Sequence, residues 1–482
     1  MNAADDACDL AVIGGGAAGL HVALEAAALE QRVCLISRKP LAESSSFWAQ
    51  GGLAAALGDD DSPERHLTDT LAAGRGACRS EAVRILCDQA PAAVAKLEQR
   101  GVAFDRDADG SLALGLEGGH SARRIVHAGG SETGRRITSR LAELVAAEPL
   151  VDVREGSSAL ALWSDGGRCC GVITDGGALA ARATLLATGG AAALWSRTTN
   201  PWGSIGAGAV LAHAGGAALA DLEFCQFHPT ALAAPGGSGA GLLITEAIRG
   251  EGAQLLDASG QRFTDELAPR DAVSVAILDR MEADGASCVW LDMREIDGGS
   301  FPNVFAALRE LGIDPGRELV PVAPAAHYAM GGIATDLEGR TTVQGLYAAG
   351  ESACTGLHGA NRLASNSLSE CFVFGSRAAR AAAAEPAAST TIAQPEWRFT
   401  PPSPATREAV WRHAGLRRSA EGLTPLLDDP YPLARMLAAA ALERRESRGA
   451  HVRTDFPVTD PSLDGIHLVA SGDAGPVHEA WR

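Results

Sequence analysis

Residues 10–38, L-A-V-I-G-G-G-A-A-G-L-H-V-A-L-E-A-A-A-L-E-Q-R-V-C-L-I-S-R, decide the fold class. A short apolar run at 10–13 meets a glycine-rich turn at 14–19, a helix-favouring stretch covers 17–29, and 33–37 is apolar and strand-like again. The order strand, turn, helix, strand is one βαβ unit. Its turn matches G-x-G-x-x-G in the context that gives the motif meaning, after a strand and opening a helix. Gly14 permits the tight turn, Gly16 lets backbone approach a pyrophosphate, and Gly19 lets the helix pack on the sheet. With Gly15, Ala17 and Ala18 they form a loop whose helix start offers N–H groups and positive partial charge to phosphates. The second strand ends in Ser37 and Arg38. No acidic residue stands there to meet a ribose, which weakens a plain NAD reading.

Further along, apolar pieces at 151–153, 159–163, 171–174 and 185–188 read as strands, and 345–349 as another. Two of these end in stretches where backbone must come close to a flat cofactor. They are A-T-G-G at 187–190, with Thr188 and Gly189, and G-L-Y-A-A-G-E at 345–351. There Glu351 is placed to accept hydrogen bonds from ribityl hydroxyls. Together with the glycine loop they imply an FAD-binding domain that is discontinuous in sequence. Residues between about 223 and 328 carry their own turns and helices, for example 271–284 and 303–311. After 380, Ala, Pro, Ser and Thr crowd 381–405, which is linker chemistry. Beyond it, 407–417 and 433–445 are helical in pattern. The expected fold is α/β. A Rossmann-like FAD-binding domain in two segments, 1–222 and 329–384, carries an inserted α+β capping domain, 223–328. A linker, 385–405, leads to a C-terminal helical domain, 406–482.

The 482 residues give room for roughly two to four domains. Hydrophobic residues make up 46% and aromatics only 5%, so close packing of small side chains is expected. A net charge of −18 argues against a nucleic-acid partner, because phosphate binding needs a basic surface. An acidic protein with an acidic ligand must therefore build a local cationic pocket. The ten cysteines contain no C-x-x-C pair, which disfavours structural zinc, an iron–sulfur cluster and a secreted disulfide framework. No metal is expected. The acidic start, 1–9, lacks signal-peptide features, and apolar runs such as 205–220 are too interrupted to span a membrane. A cytoplasmic protein is the expectation.

Six longer segments carry a resemblance: 44–52 (S-S-S-F-W-A-Q-G-G), 223–230 (E-F-C-Q-F-H-P-T), 245–252 (T-E-A-I-R-G-E-G), 325–332 (A-A-H-Y-A-M-G-G), 358–370 (H-G-A-N-R-L-A-S-N-S-L-S-E) and 446–457 (E-S-R-G-A-H-V-R-T-D-F-P). Over nearly its whole length the chain resembles the succinate dehydrogenase/fumarate reductase flavoprotein superfamily, and most of all the branch that oxidises L-aspartate. The resemblance implies FAD held by the glycine loop, by Ser37 and Arg38, and by Ser45, Ser46, Phe47, Trp48, Ala49, Gln50, Gly51 and Gly52. Thr188, Gly189, Glu351, Ser367 and Leu368 complete that set. It also implies a dicarboxylate pocket of His228, Arg270, His327 and Arg362, with Thr245 as a hydroxyl donor. This agrees with elementary chemistry, since two buried carboxylates need several cations and donors, and arginine's planar fork binds both oxygens. A relay of Arg270, Glu246 and Arg249 is implied as well, and Glu246 and Arg249 share one face if helical. Arginine is a poor acid, so Arg270 is read first as an electrostatic group.

Three features select the branch. Where respiratory members carry the histidine that bonds the flavin, this chain has Ser45, so FAD is expected to be non-covalent. The run 116–121, L-E-G-G-H-S, resembles the loop that keeps a glutamate, here Glu117, near the substrate amino group. With succinate that carboxylate is left unpaired, which costs free energy. The C-terminal domain is also short. One departure stands out: relatives carry G-D-G where this chain has G-A-G at 206–208, so Ala207 removes one carboxylate contact to the cofactor. The implied reaction is oxidation of L-aspartate to iminosuccinate, with oxygen (giving hydrogen peroxide) or fumarate as acceptor. As the first step of de novo NAD biosynthesis it would feed quinolinate synthase. The alternatives are a soluble fumarate reductase or succinate dehydrogenase with the same pocket, and a non-catalytic flavin-binding subunit.

Overall fold

Parallel strands buried on both faces need nearly continuous apolar runs, and Ala7–Ile13 and Val33–Ser37 supply them. In the computed structural model, which describes residues 7–41, 43–164, 167–233, 241–386, 394–472 and 474–481, these two strands pair in parallel at the centre of a seven-stranded sheet. Val151–Glu155 adds on one side and Gly177–Leu186 on the other. The last of these forks. Its first half pairs antiparallel with Cys169–Thr174, which leads on to Ala159–Ser164, and its second half pairs in parallel with Leu346–Ala348. That late strand brings the chain back into the sheet, so the fold is α/β with a discontinuous nucleotide-binding part. Helices Ala17–Ala27 and Asn366–Ala383 bury Leu20, Ala23 and Phe372 against it. Of the expected linker, 387–393 lie outside the described residues.

A second core belongs to the inserted region. Cys225–Leu232, Val320–Ala329, Val289–Asp292 and Gln254–Leu256 form an antiparallel sheet, with helices Arg270–Asp284 and Pro302–Glu310 packed through Val273, Ile277, Val304 and Leu308. Helix Arg270–Asp284 stops at Gly285, whose φ of +62° is a left-handed C-cap that glycine adopts freely.

The C-terminal region departs from the helical expectation. Pro404–His413 and Pro432–Glu443 are helices, but Ile466–Ala470 and Val477–Ala480 are strands. They extend a small sheet through Leu219–Ala220 to Gly332–Ala334 and Ala353–Cys354. Their partner lies in the distant first segment, so the pairing leaves no local periodicity to read. Here the C-terminal residues grip the root of the inserted domain. Arg444 bridges Glu223 at 2.6 Å and Glu446 at 3.1 Å, all three fully buried, and Arg448 joins Glu446 to Asp464. His467 Nδ1 bonds Asp221 at 2.6 Å. Removing one member of such a network would strand a buried charge, at a cost of about 3–5 kcal/mol. The conspicuous 446–457 motif is thus a brace. Among the described residues, no helix is long and apolar enough to cross a membrane.

Candidate active site

The glycine turn is built for close approach. A Cβ added at Gly14 (φ +120°) would sit 2.2 Å from Ala187 O, and one at Gly19 would sit 1.9 Å from Gly14 O. At Gly15 it would strike Leu41 and Ser37, whereas at Gly16 nothing lies nearer than Ser46 Oγ at 3.5 Å. Gly16 is extended and caps the helix with no side chain, so the amides of Ala17 and Ala18 open the helix toward the space above the turn. Ala17 N–H already touches Ser46 Oγ at 3.2 Å. A helix start of this kind can cradle a pyrophosphate. Ser37 Oγ donates to Lys39 O, and the exposed Arg38 reaches Gly203 O. A carboxylate does stand at this edge. Glu155 pairs with Ser37 from the neighbouring strand and accepts Leu41 N–H, while Ser157 N–H donates to Ser37 O. Sequence reasoning missed 155–157; the signal was their place at the carboxyl end of an adjacent parallel strand.

The 45–52 loop runs from this cradle to the pocket. Ser45 Oγ bonds Ser204 Oγ, Phe47 packs edge-on against the exposed Trp48, and Ala49 O accepts Gly134 N–H. Gln50 Nε2 donates to Leu243 O of the inserted domain, and its Oε1 is buried without a partner among the described residues. Gly51 and Gly52 lie against the start of helix Asn366–Ala383, where Gly52 N–H donates to Ser365 Oγ. Ser367 and Leu368 are in that helix's first turn. On the other side, Gly189 N–H donates to Ser352 Oγ and Thr188 Oγ1 meets the same hydroxyl. Glu351 accepts Ala329 N–H at 3.0 Å, and burial raises its carboxyl to about 7. At the departure noted above, helix Ala207–Ala214 starts from left-handed Gly206 with no side-chain cap. Helix starts without side-chain caps, an orphaned Gln50 oxygen and the open space over Gly16 fit a flat dinucleotide cofactor.

The pocket side chains converge from three segments. Arg270 opens its helix and donates from Nε to Glu246 Oε2 at 2.7 Å. Arg249 Nη2 lies 3.7 Å from Glu246 Oε1, one turn along the short helix Glu246–Gly250, so Arg270, Glu246 and Arg249 stand in one chain of contacts. Burial alone would raise Glu246, but Arg270 and Arg249 outweigh it and hold the carboxyl below its usual range. Thr245, buried, stands at the N-cap position of that helix and makes no side-chain cap bond. Gln226, which sequence reasoning did not single out, joins the two arginines. Its Oε1 accepts from Arg270 Nη1 at 3.1 Å and from Arg362 Nη2 at 3.3 Å, while its Nε2 donates to Asn361 Oδ1 and Arg362 O. The signal was strand periodicity, since Gln226 is two residues from His228 and shares its face.

The imidazoles of His228 and His327 stand 5.1 Å apart. Burial and Arg270 push both well below the ordinary 6.5, so they are neutral donors and the arginines carry the positive charge. His228 Nδ1 accepts Thr230 N–H, which leaves the proton on Nε2. Thr199 and Asn200 hold His327 through its Nδ1 and carbonyl. Arg362 stacks on Tyr328 and stays charged, although burial and Arg270 bring it to about 10. Glu117, 8% exposed, accepts Ser365 Oγ–H at 2.7 Å, with His127 Nε2 at 3.9 Å. Next to it a Cβ at Gly118 would lie 2.2 Å from Glu246 Oε1, so a larger residue there would displace the carboxylate that holds Arg270. No group of three or more metal-binding side chains occurs among the described residues.

The chain is similar to known flavoproteins over nearly its whole length. Residues 9–368 match the FAD binding domain family and 423–470 match the fumarate reductase flavoprotein C-terminal family. An L-aspartate oxidase of Agrobacterium fabrum is 46% identical over 482 aligned residues, 93% of this chain and 91% of the relative. One of Streptomyces coelicolor is 43% identical, covering 96% and 91%. Among solved structures, a quinol–fumarate reductase with menaquinol molecules superposes with a TM-score of 0.88 at 29% identity, covering 98% of this chain and 97% of that one. An E. coli quinol fumarate reductase gives 0.86 at 29% identity, covering 98% and 96%.

Proposed function

The chain belongs to the L-aspartate oxidases of the succinate dehydrogenase/fumarate reductase flavoprotein superfamily, and from that premise we propose how its own residues carry out FAD-dependent oxidation of L-aspartate to iminosuccinate. The observation that carries the reading is Gln226 Oε1 shared by Arg270 and Arg362, which sets two charged forks at one buried site. The arginines, with neutral His228 and His327 and the Thr245 hydroxyl, bind the two carboxylates and exclude water around them. Glu117, aimed by Ser365, orients the amine. When bound, FAD supplies the acceptor for hydride from the α-carbon. The glycine turn, the 45–52 loop, Thr188, Gly189, Glu351 and the helix start at Ser367 and Leu368 would hold it, without covalent attachment at Ser45. Glu246, itself 3.7 Å from Arg249, aims Arg270 through its Nε, and the three side chains offer a path for protons when fumarate is the acceptor.

On this reading, 1–222 and 329–384 hold the cofactor and 223–328 closes over the substrate. Residues 385–405 connect to the brace at 406–482. Fumarate or oxygen takes the electrons, oxygen yielding hydrogen peroxide. The imine product feeds quinolinate synthase in de novo NAD biosynthesis, in the cytoplasm. Anaerobic mixing of the flavin-loaded protein with L-aspartate is expected to bleach the flavin absorbance within the turnover time. A spectrum unchanged by aspartate but bleached by succinate would replace this reading with a succinate dehydrogenase.

A further inference from the structure

Helix Arg270–Asp284 is capped by Pro269, which offers no side-chain acceptor, so the first turn that carries Arg270 is not secured by its own cap. Asp271 secures it differently. Its carboxylate receives two parallel bonds from Arg75, Nε at 3.0 Å and Nη2 at 3.2 Å, and Asp271 is 9% exposed against 40% for Arg75. Arg75 belongs to the other side of the cleft, in the turn between helices Pro63–Ala73 and Ser80–Gln99. It adopts φ +55°, a left-handed conformation that disfavours any residue with a Cβ, although glycines flank it on both sides. A strained arginine between two glycines directs attention to its side chain.

The turn itself is anchored. Gly74 O accepts Ala360 N–H at 3.1 Å, two residues before Arg362; Arg75 O accepts Arg448 Nη1; and Gly76 O accepts Gly465 N–H. One end of the Arg75 residue is thus fixed to the segment carrying Arg362, and the other grips the neighbour of Arg270. We propose that Arg75 is a positioning residue of this enzyme. Its ion pair with Asp271 ties the inserted domain to the FAD-binding side and sets the spacing between the two arginines that share Gln226. The proposal rests on the pocket assigned above.

Arg75→Gly tests it, because glycine is at ease at φ +55° and the change removes only the side chain. A looser cap lowers the fraction of molecules able to bind, so KM for aspartate rises by about fivefold, the scale of a partly exposed ion pair, while kcat changes less. FAD content and melting temperature hold or rise. Asp271→Asn gives the same KM, and the double variant is no worse than either single one. Wild type drifts toward the variant at high salt, where the pair is screened. An unchanged KM in Arg75→Gly, or losses that multiply in the double variant, overturns the proposal. Arg270→Leu run alongside separates the two readings: if it is inactive while Arg75→Gly is normal, only the positioning role fails, and if it is active, the pocket itself is misassigned.

Discussion

In the proposed nucleotide cradle, a Cβ at Gly14 or Gly19 meets a backbone oxygen at 2.2 or 1.9 Å; in the proposed dicarboxylate pocket, the two arginines are spaced by one side-chain oxygen at 3.1 and 3.3 Å. The cradle is made by backbone, the glycine turn of the βαβ unit closed by Ala187 O just after strand Gly177–Leu186, and its tolerance is steric. The pocket is made by side chains from two domains, and its tolerance is electrostatic and graded. Damage to the first is therefore expected to remove the cofactor, and damage to the second to leave the cofactor and alter the chemistry.

The comparison breaks most severely at Gly19→Val. Helix Ala17–Ala27 would have to leave the sheet, so the purified protein is expected to hold essentially no FAD, read from its visible absorbance. Full flavin content would refute the close packing. Arg270→Leu is next: turnover falls by about 10²–10³-fold, the loss typical for one preorganised charge-stabilising donor, with a normal flavin spectrum. Loss of flavin together with activity would blur the separation of the two regions. Glu117→Gln is smaller and selective. A hydrogen bond to a charged group is worth about 1.5–3 kcal/mol, so kcat/KM for aspartate drops by roughly 10–100-fold, while fumarate reduction barely changes. Equal losses in both directions would remove the amine-orienting role.

The smallest effect concerns pH. Glu351 rises from 4.5 to about 7, so the fold prefers its protonated form. The stability this group contributes is complete below about 4.5 and lost as pH climbs through about 7. The melting temperature of flavin-free protein, taken as wild type minus Glu351→Gln, should fall over that window. A difference that is flat, or rises with pH, contradicts the burial of this carboxylate beside Gly190 and Ala329.

Much of the cradle was legible because most of its requirements are local. Gly16 and Gly19 act within one turn, whereas Gly14 also answers to the distant Ala187 O; the helices that were read match within a few residues, but Pro63–Ala73, Ser80–Gln99, Thr133–Ala147 and Asn366–Ala383 went unread. The pocket was legible only through its resemblance to a family, since nothing in the spacing of His228, Arg270, His327 and Arg362 says they meet. Gln226 went unread because its role depends on two arginines 44 and 136 residues away. The terminal strands Ile466–Ala470 and Val477–Ala480 went unread for a similar reason, as they are completed by Leu219–Ala220.

From its residues alone this protein was bound to form a glycine-turned βαβ unit, because backbone sterics and helix-start polarity act over a dozen positions. Which carboxylate faces which arginine, that the histidines are neutral, and that a strained Arg75 reaches Asp271 were decided only when distant segments packed. Burial and distance set the strength of charges and hydrogen bonds, and neither exists until the chain has folded.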